Sequence, residues 1–189
     1  MTDQLTAASK LLAYVLRHRP GAVGIALDDG GWVDVDILLT ALARHGRAVT
    51  PDLLDRLVAG TDKQRFEVQG GRIRAAQGHS ISVDLRLEPV TPPPVLYHGT
   101  VARFLPGIRA EGLRPRRRTH VHLSVDRETA TTVGARRGEP VVLTVDAAGM
   151  HCDGFLFYRA ANGVWLTNHV PPAWITPVTP SEPVPGCRR

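Results

Sequence analysis

RFEVQGGRIRAA, residues 65–76, decides the first half of the fold. Two short alternating runs flank Gln69-Gly70-Gly71, and alternation interrupted by glycines is the signature of a β-hairpin, since glycine enters left-handed turn positions without a Cβ penalty. Upstream of it, Leu5, Ala8, Leu11, Leu12, Val15 and Leu16 recur at helical spacing and predict a first helix that stops before Pro20. Asp34 or Asp36 can cap a second helix through Leu38, Leu39 and Leu42 that ends at Gly46, and Thr50-Pro51 opens a third that ends near Gly60. Helices followed by a hairpin predict a winged-helix lobe.

Downstream, Glu88 to Val95 reads EPVTPPPV, a proline run that stiffens the chain and forbids helix or central strand, so a linker is expected there. Beyond it the pattern changes to short strands: VLYH at 95–98, HVHLS at 120–124, VVLTV at 141–145, FLFY at 155–158 and VWL at 164–166. One helix is expected from about Val101 to Glu111, ending at Gly112, and another is capped by Asp126 and ends near Arg136. Many short strands without regular βαβ alternation indicate an α+β fold, and the absence of GxGxxG and GxxxxGK[ST] disfavours a Rossmann or P-loop site. The expected organisation is 1–88 as the winged-helix lobe, 89–95 as linker, 96–178 as a second lobe and 179–189 as a loose tail.

The 189 residues are 43% hydrophobic and 22% charged, a globular composition. No apolar run approaches the roughly 20 residues of a membrane helix and the N-terminus lacks a secretory pattern, so a cytoplasmic monomer with no membrane partner is expected. Cys152 and Cys187 make at most one bridge, which excludes a disulfide framework. Up to Val90 the chain carries 11 basic and 11 acidic residues, and beyond it 12 against 7. All but Lys10 and Lys63 of the basic residues are arginine. Genomic base composition accounts for this as readily as an anionic partner does, although the planar guanidinium binds phosphate bidentately where lysine offers a point charge.

The polar residues cluster at element ends. Arg17-His18-Arg19 lies at the last turn of the first helix, where basic groups complement its negative end by about 0.3–1 kcal/mol. Arg65 opens the hairpin after Lys63, and Arg136-Arg137 close a helix. His98-Gly99-Thr100 reads as a strand end that offers a ring donor, an open backbone and a hydroxyl at one point. His122 and Ser124 share one strand face with Leu123 on the other, so the two polar strand ends can border one cleft. Histidines 98, 120 and 122 lack Cys or paired carboxylates nearby, and no metal is expected.

Eight segments in order, SKLLAYVLRHRP, LDDGGWVDV, KQRFEV, RIRAAQGHS, LYHGT, THVHLS, VGARRGEPVVL and NGVWLTNHVP, resemble the RNA 2′-phosphotransferase family (KptA-type, also called tRNA 2′-phosphotransferase) over nearly the whole chain. The resemblance implies a winged-helix lobe followed by an ADP-ribosyltransferase-like lobe, NAD as co-substrate without a metal, and a tRNA-like partner bearing an internal 2′-phosphate. It implies transfer of that phosphate to NAD through a 2′-phospho-ADP-ribosylated RNA, giving RNA 2′-OH, nicotinamide and ADP-ribose 1″,2″-cyclic phosphate. Carried onto this chain, the catalytic set falls on Arg17, His18, Arg65 and Arg136, and the NAD-contacting set on His98, Gly99, Thr100, His122, Leu123 and Ser124. Gly78, His79 and Ser80 match a family motif without an assigned role. Related sequences often carry His and Lys where this chain has Arg137 and Glu139, a departure that leaves Arg136 in place.

The implied chemistry suits these residue types. An anionic phosphate needs no general base to attack ribose, and NGVWLTNHVP contains no glutamate. In the second step negative charge builds on phosphorus oxygens, which preorganised guanidinium groups stabilise, so arginines from both lobes are expected to serve one phosphate. His18 can protonate the departing RNA oxygen or orient the phosphate, and the sequence leaves both roles open. Two other readings remain: a winged-helix transcription regulator, which leaves the His-Gly-Thr and His-Leu-Ser strand ends unused, and an ADP-ribosyltransferase that stops after the first step on a terminal phosphate.

Overall fold

The computed structural model describes residues 2–60 and 65–177. Lys63, Cys187 and the expected loose tail lie outside the described residues. Contacts divide the chain into two compact units. One comprises the chain up to Pro89 with Pro115–His120 and Tyr158–Val164; the other comprises Val90–Arg114, Val121–Phe157 and the chain from Trp165. Both are α+β, and every strand pair described is antiparallel.

The first unit contains α1 (Thr2–Arg17), a 3₁₀ turn (Pro20–Val23), β1 (Val33–Asp34), α2 (Val35–Arg44), α3 (Pro51–Ala59), β2 (Phe66–Gln69) and β3 (Arg72–Ala75). Asp34 rather than Asp36 caps α2, accepting from the amides of Asp36 and Ile37, because Asp36 already lies inside the first turn. Thr50 accepts from the Leu53 amide, and Pro51 starts α3 where a missing N–H costs nothing. Gly70 and Gly71 have φ of 55° and 74°, as a two-residue hairpin turn requires, and they set Gln69 opposite Arg72 and Phe66 opposite Ala75. β1, which the sequence reading did not include, pairs with the other edge of β3. Leu12, Leu16, Leu38, Leu42 and Ile73 are fully buried in the core of this unit, each contributing about 1.5–3 kcal/mol.

The second unit contains β4 (Val95–Val101), α4 (Leu105–Glu111), β5 (Val121–Leu123), α5 (Arg127–Ala135), β6 (Pro140–Asp146), α6 (Ala147–Cys152), Phe157 at the head of β7 (Phe157–Arg159), β8 (Trp165–Thr167) and β9 (Ile175–Pro177). One sheet runs β4-β6-β9; β5 pairs with β8 in another. Asp126 caps α5 through the Thr129 amide, as expected. The sequence reading ended β4 at His98 and began a helix at Val101. Instead β4 continues through Gly99 and Thr100, which lie opposite Val142 and Val141 of β6, and only a 3₁₀ turn follows before α4. α6 and β9 were not anticipated; β9 takes the sheet edge, where Pro177 is tolerated. Among the described residues no helix is long and apolar enough to cross a membrane.

Candidate functional site

In the first unit Arg17 is the last residue of α1, and His18 and Arg19 lie beyond it rather than in its last turn. The cause is Pro20, which drives the preceding residue out of the α region: Arg19 has φ −144° and ψ 63°. Arg65 donates from Nη1 to Ser9 Oγ, a buried hydroxyl on α1, at 3.1 Å, and Arg17 Nη2 approaches the Arg65 carbonyl at 3.4 Å. Two of the expected arginines are thereby brought together. Neither has an acidic partner: the ion pairs among the described residues are Arg72–Asp28, Arg74–Glu67 and Arg114–Glu111. Burial, then the charges of Arg118 and Arg65, lower the Arg17 pKa to about 10, so it stays cationic at neutral pH. Its Nε is buried without a hydrogen-bond partner. Burial, Arg17 and Arg118 also lower the His18 pKa, which favours a neutral ring.

Gly78, His79 and Ser80 strap this end of α1. Gly78 has φ 88°, and a Cβ there would stand 3.5 Å from Arg17 Nη1. The Ser80 amide donates to the Arg17 carbonyl at 2.9 Å, and Ser80 Oγ lies 2.9 Å from His18 Nδ1. The His79 carbonyl accepts from the Thr119 amide at 3.2 Å. The His79 ring is wholly buried, and neither nitrogen has a hydrogen-bond partner. Burial, with Arg17, Arg74 and His18 adding to it, lowers its pKa to about 4, so the imidazole is neutral. Arg118, whose charge acts on Arg17 and His18, was not singled out from sequence; the run Arg116-Arg117-Arg118 ahead of THVHLS was the available signal.

In the second unit Tyr97 and Ser124 exchange two backbone hydrogen bonds of 2.8 Å, which sets the polar ends of β4 and β5 side by side. His98 Nδ1 lies 3.0 Å from the His122 carbonyl, an acceptor, so Nδ1 is the protonated nitrogen and in the neutral ring Nε2 is an acceptor. Gly99 serves a purpose other than an open backbone: a Cβ there would overlap the Ala130 carbonyl oxygen of α5. Thr100 (5% exposed) and Leu123 (1%) face the interior, whereas Arg136, which caps α5, is exposed. A cavity of about 120 Å³ in this unit, lined by Leu105, Ile108, Arg109, Leu143, Pro172 and Ile175, lies among none of these residues and is too small for a dinucleotide. Among the described residues no group of three or more His, Cys, Asp or Glu could hold a metal ion.

These features define an α+β protein of two units, one of which holds, at a helix end, neighbouring arginines without counterions among the described residues. Comparison with known proteins narrows the class. Residues 3–169 match the model of the RNA 2′-phosphotransferase, Tpt1 / KptA family, and the chain belongs to that family. It is 61% identical over 173 residues to a protein named "Probable RNA 2′-phosphotransferase" from Streptomyces coelicolor, covering 92% of this chain and 95% of that one. A protein of the same name from Acaryochloris marina is 49% identical over 180 residues, covering 94% and 99%. Family membership classes the chain as a transferase and implies an RNA substrate.

Proposed function

We propose that the chain is an NAD-dependent RNA 2′-phosphotransferase that removes an internal 2′-phosphate from a tRNA-like RNA. The observation that carries the reading is the pair Arg17 and Arg65, held together by hydrogen bonds and lacking any carboxylate among the described residues. A partly buried guanidinium without a counterion costs several kcal/mol unless an anion arrives, at about the scale of buried ion desolvation. A phosphate supplies that anion.

In this reading the first unit is a winged-helix RNA-binding lobe (1–88), for which three helices and the β1-β3-β2 sheet are suitable parts. The span 96–178, most of which falls in the second unit, is an ADP-ribosyltransferase-like lobe in which His98, Gly99, Thr100, His122, Leu123 and Ser124 would hold NAD. The adjoining ends of β4 and β5 fit such a ligand in kind, since they offer the oriented His98 imidazole and a hydroxyl; Thr100 and Leu123, being interior, would act through backbone or support. NAD supplies an activated ribose: the RNA 2′-phosphate displaces nicotinamide to give 2′-phospho-ADP-ribosylated RNA, and the ribose 2″-OH then releases RNA 2′-OH and ADP-ribose 1″,2″-cyclic phosphate. Arg17 and Arg65 of the first unit bind the phosphate and stabilise charge that builds on its oxygens, and Arg136 keeps the catalytic role that the family resemblance implies for it. His18 orients the phosphate by a hydrogen bond or protonates the departing RNA 2′-oxygen.

The test is incubation of the full chain with NAD and a 2′-phosphorylated oligonucleotide, followed by mass spectrometry. Nicotinamide, RNA 2′-OH and the cyclic phosphate are expected. An adduct that persists as the end product, or NAD left intact, overturns the reading.

A further inference from the structure

Ser80 is joined twice to residues that the phosphate reading uses, by its amide to the Arg17 carbonyl and by Oγ to His18 Nδ1, both at 2.9 Å. An exposed serine ordinarily leaves its hydroxyl to solvent. Here its neighbour is an anchor: His79 is wholly buried and its carbonyl is held by the Thr119 amide, while Gly78 turns the chain at φ 88° beneath Arg17. The hydroxyl is therefore presented to the imidazole from a fixed backbone.

The charged groups that act on His18 are Arg17 and Arg118, and His18 in turn acts on the neighbouring His79. Cations oppose protonation of the ring, and a neutral imidazole carries one donor and one acceptor. If Ser80 accepted from Nδ1, Nε2 would hold a lone pair, which repels a phosphate oxygen. If Ser80 donates to Nδ1, the ring proton resides on Nε2, where it is a donor for an anion.

We propose that Ser80 is a positioning residue whose hydroxyl donates to His18 Nδ1 and so holds the ring with Nε2–H as the donor toward the RNA 2′-phosphate. The ligand, and through it the direction of the hydrogen bond, rest on the function proposed above; the hydrogen bond itself does not. It gives the Gly78-His79-Ser80 strap a task that the reaction itself does not assign.

Two measurements on the full chain test it, with Ser80→Ala and Ser80→Thr. The first is an NMR titration of His18 without substrates. A hydrogen bond donated to the neutral ring favours the neutral form, so Ser80→Ala should raise the His18 midpoint and Ser80→Thr should restore it. The second is turnover with NAD and 2′-phosphorylated RNA, where Ser80→Ala should lower kcat roughly 2- to 12-fold, the equivalent of one ordinary hydrogen bond. An unchanged or lowered midpoint overturns the proposal, the lowered one by making the hydroxyl an acceptor. A loss confined to KM overturns it too, since Ser80 would then be a phosphate ligand. If the wild-type chain shows no turnover at all, the proposed function fails while the titration still decides the role of Ser80.

Discussion

The two units build their candidate sites from different materials. In the first, the candidate groups are long side chains from separate elements: Arg17 at the end of α1, Arg65 at the start of the hairpin, and His18 beside the Ser80 hydroxyl. In the second, backbone does the placing, through the Tyr97–Ser124 exchange, the His122 carbonyl on His98, and the closeness of α5 to β4 at Gly99. Long side chains can be removed without moving the chain that bears them. A strand packed against a helix backbone cannot be altered in that way, so activity and stability should separate in the first unit and fall together in the second.

Gly99→Ala tests the second half of that contrast most severely. The new methyl meets backbone, which no rotamer change relieves, and the loss of unfolding free energy should be at least about 4 kcal/mol. Urea denaturation measures it, and a midpoint near wild type would show that α5 withdraws freely from β4. Arg65→Ala is the counterpart in the first unit. It should lower the rate of RNA release by ~10²–10³ (about 2.7–4 kcal/mol) while stability falls only by the hydrogen bond to Ser9, about 1 kcal/mol. A quenched time course should show the adduct accumulating. Equal loss of adduct and product would instead assign Arg65 to substrate positioning.

Acid sharpens the comparison next. The His79 ring binds a proton near pH 6.5 when unfolded and only at about 4 when buried, so above 6.5 neither state gains from it. Between those values the unfolded chain is favoured increasingly as pH falls, by about 3 kcal/mol in all. Stability measured against pH should therefore fall less steeply over that window in His79→Gln than in wild type, and parallel curves would exclude the buried imidazole as the cause. Smallest is His98→Ala, in the second unit but at a side chain: NAD affinity should weaken by ~1–3 kcal/mol, read by isothermal titration, with RNA binding retained. Unchanged NAD affinity removes His98 from the site.

What the sequence made legible was local chemistry. Thr50 and Asp126, and Asp34 as one of two candidates, cap helices where an oxygen meets free amides, and Gly70-Gly71 turns the hairpin, because each of these needs only its immediate neighbours. β1 was not legible: two residues carry no period, and Val33 is a strand only because Ile73 lies opposite. The same limit hid the reason for Gly99, whose constraint comes from Ala130 on another element, and the seat of Arg65, which depends on Ser9. That Pro115–His120 and Tyr158–Val164 belong with the first unit likewise follows from contacts distant along the chain. Histidines 18 and 79 look alike in the sequence, yet one is exposed beside a hydroxyl and the other sealed in the interior.

The guanidinium of Arg17, cationic, largely covered and without a carboxylate among the described residues, has a consequence for how the protein behaves in a test tube. Any small anion able to reach it stabilises the folded chain by mass action, in proportion to RT ln(1 + [L]/Kd). Buffer composition therefore enters as a competing ligand and not only as ionic strength. Phosphate or sulfate should raise the melting temperature and depress apparent RNA affinity more than chloride does at matched Debye length. Affinities measured in different buffers are then comparable only after the resident anion has been accounted for.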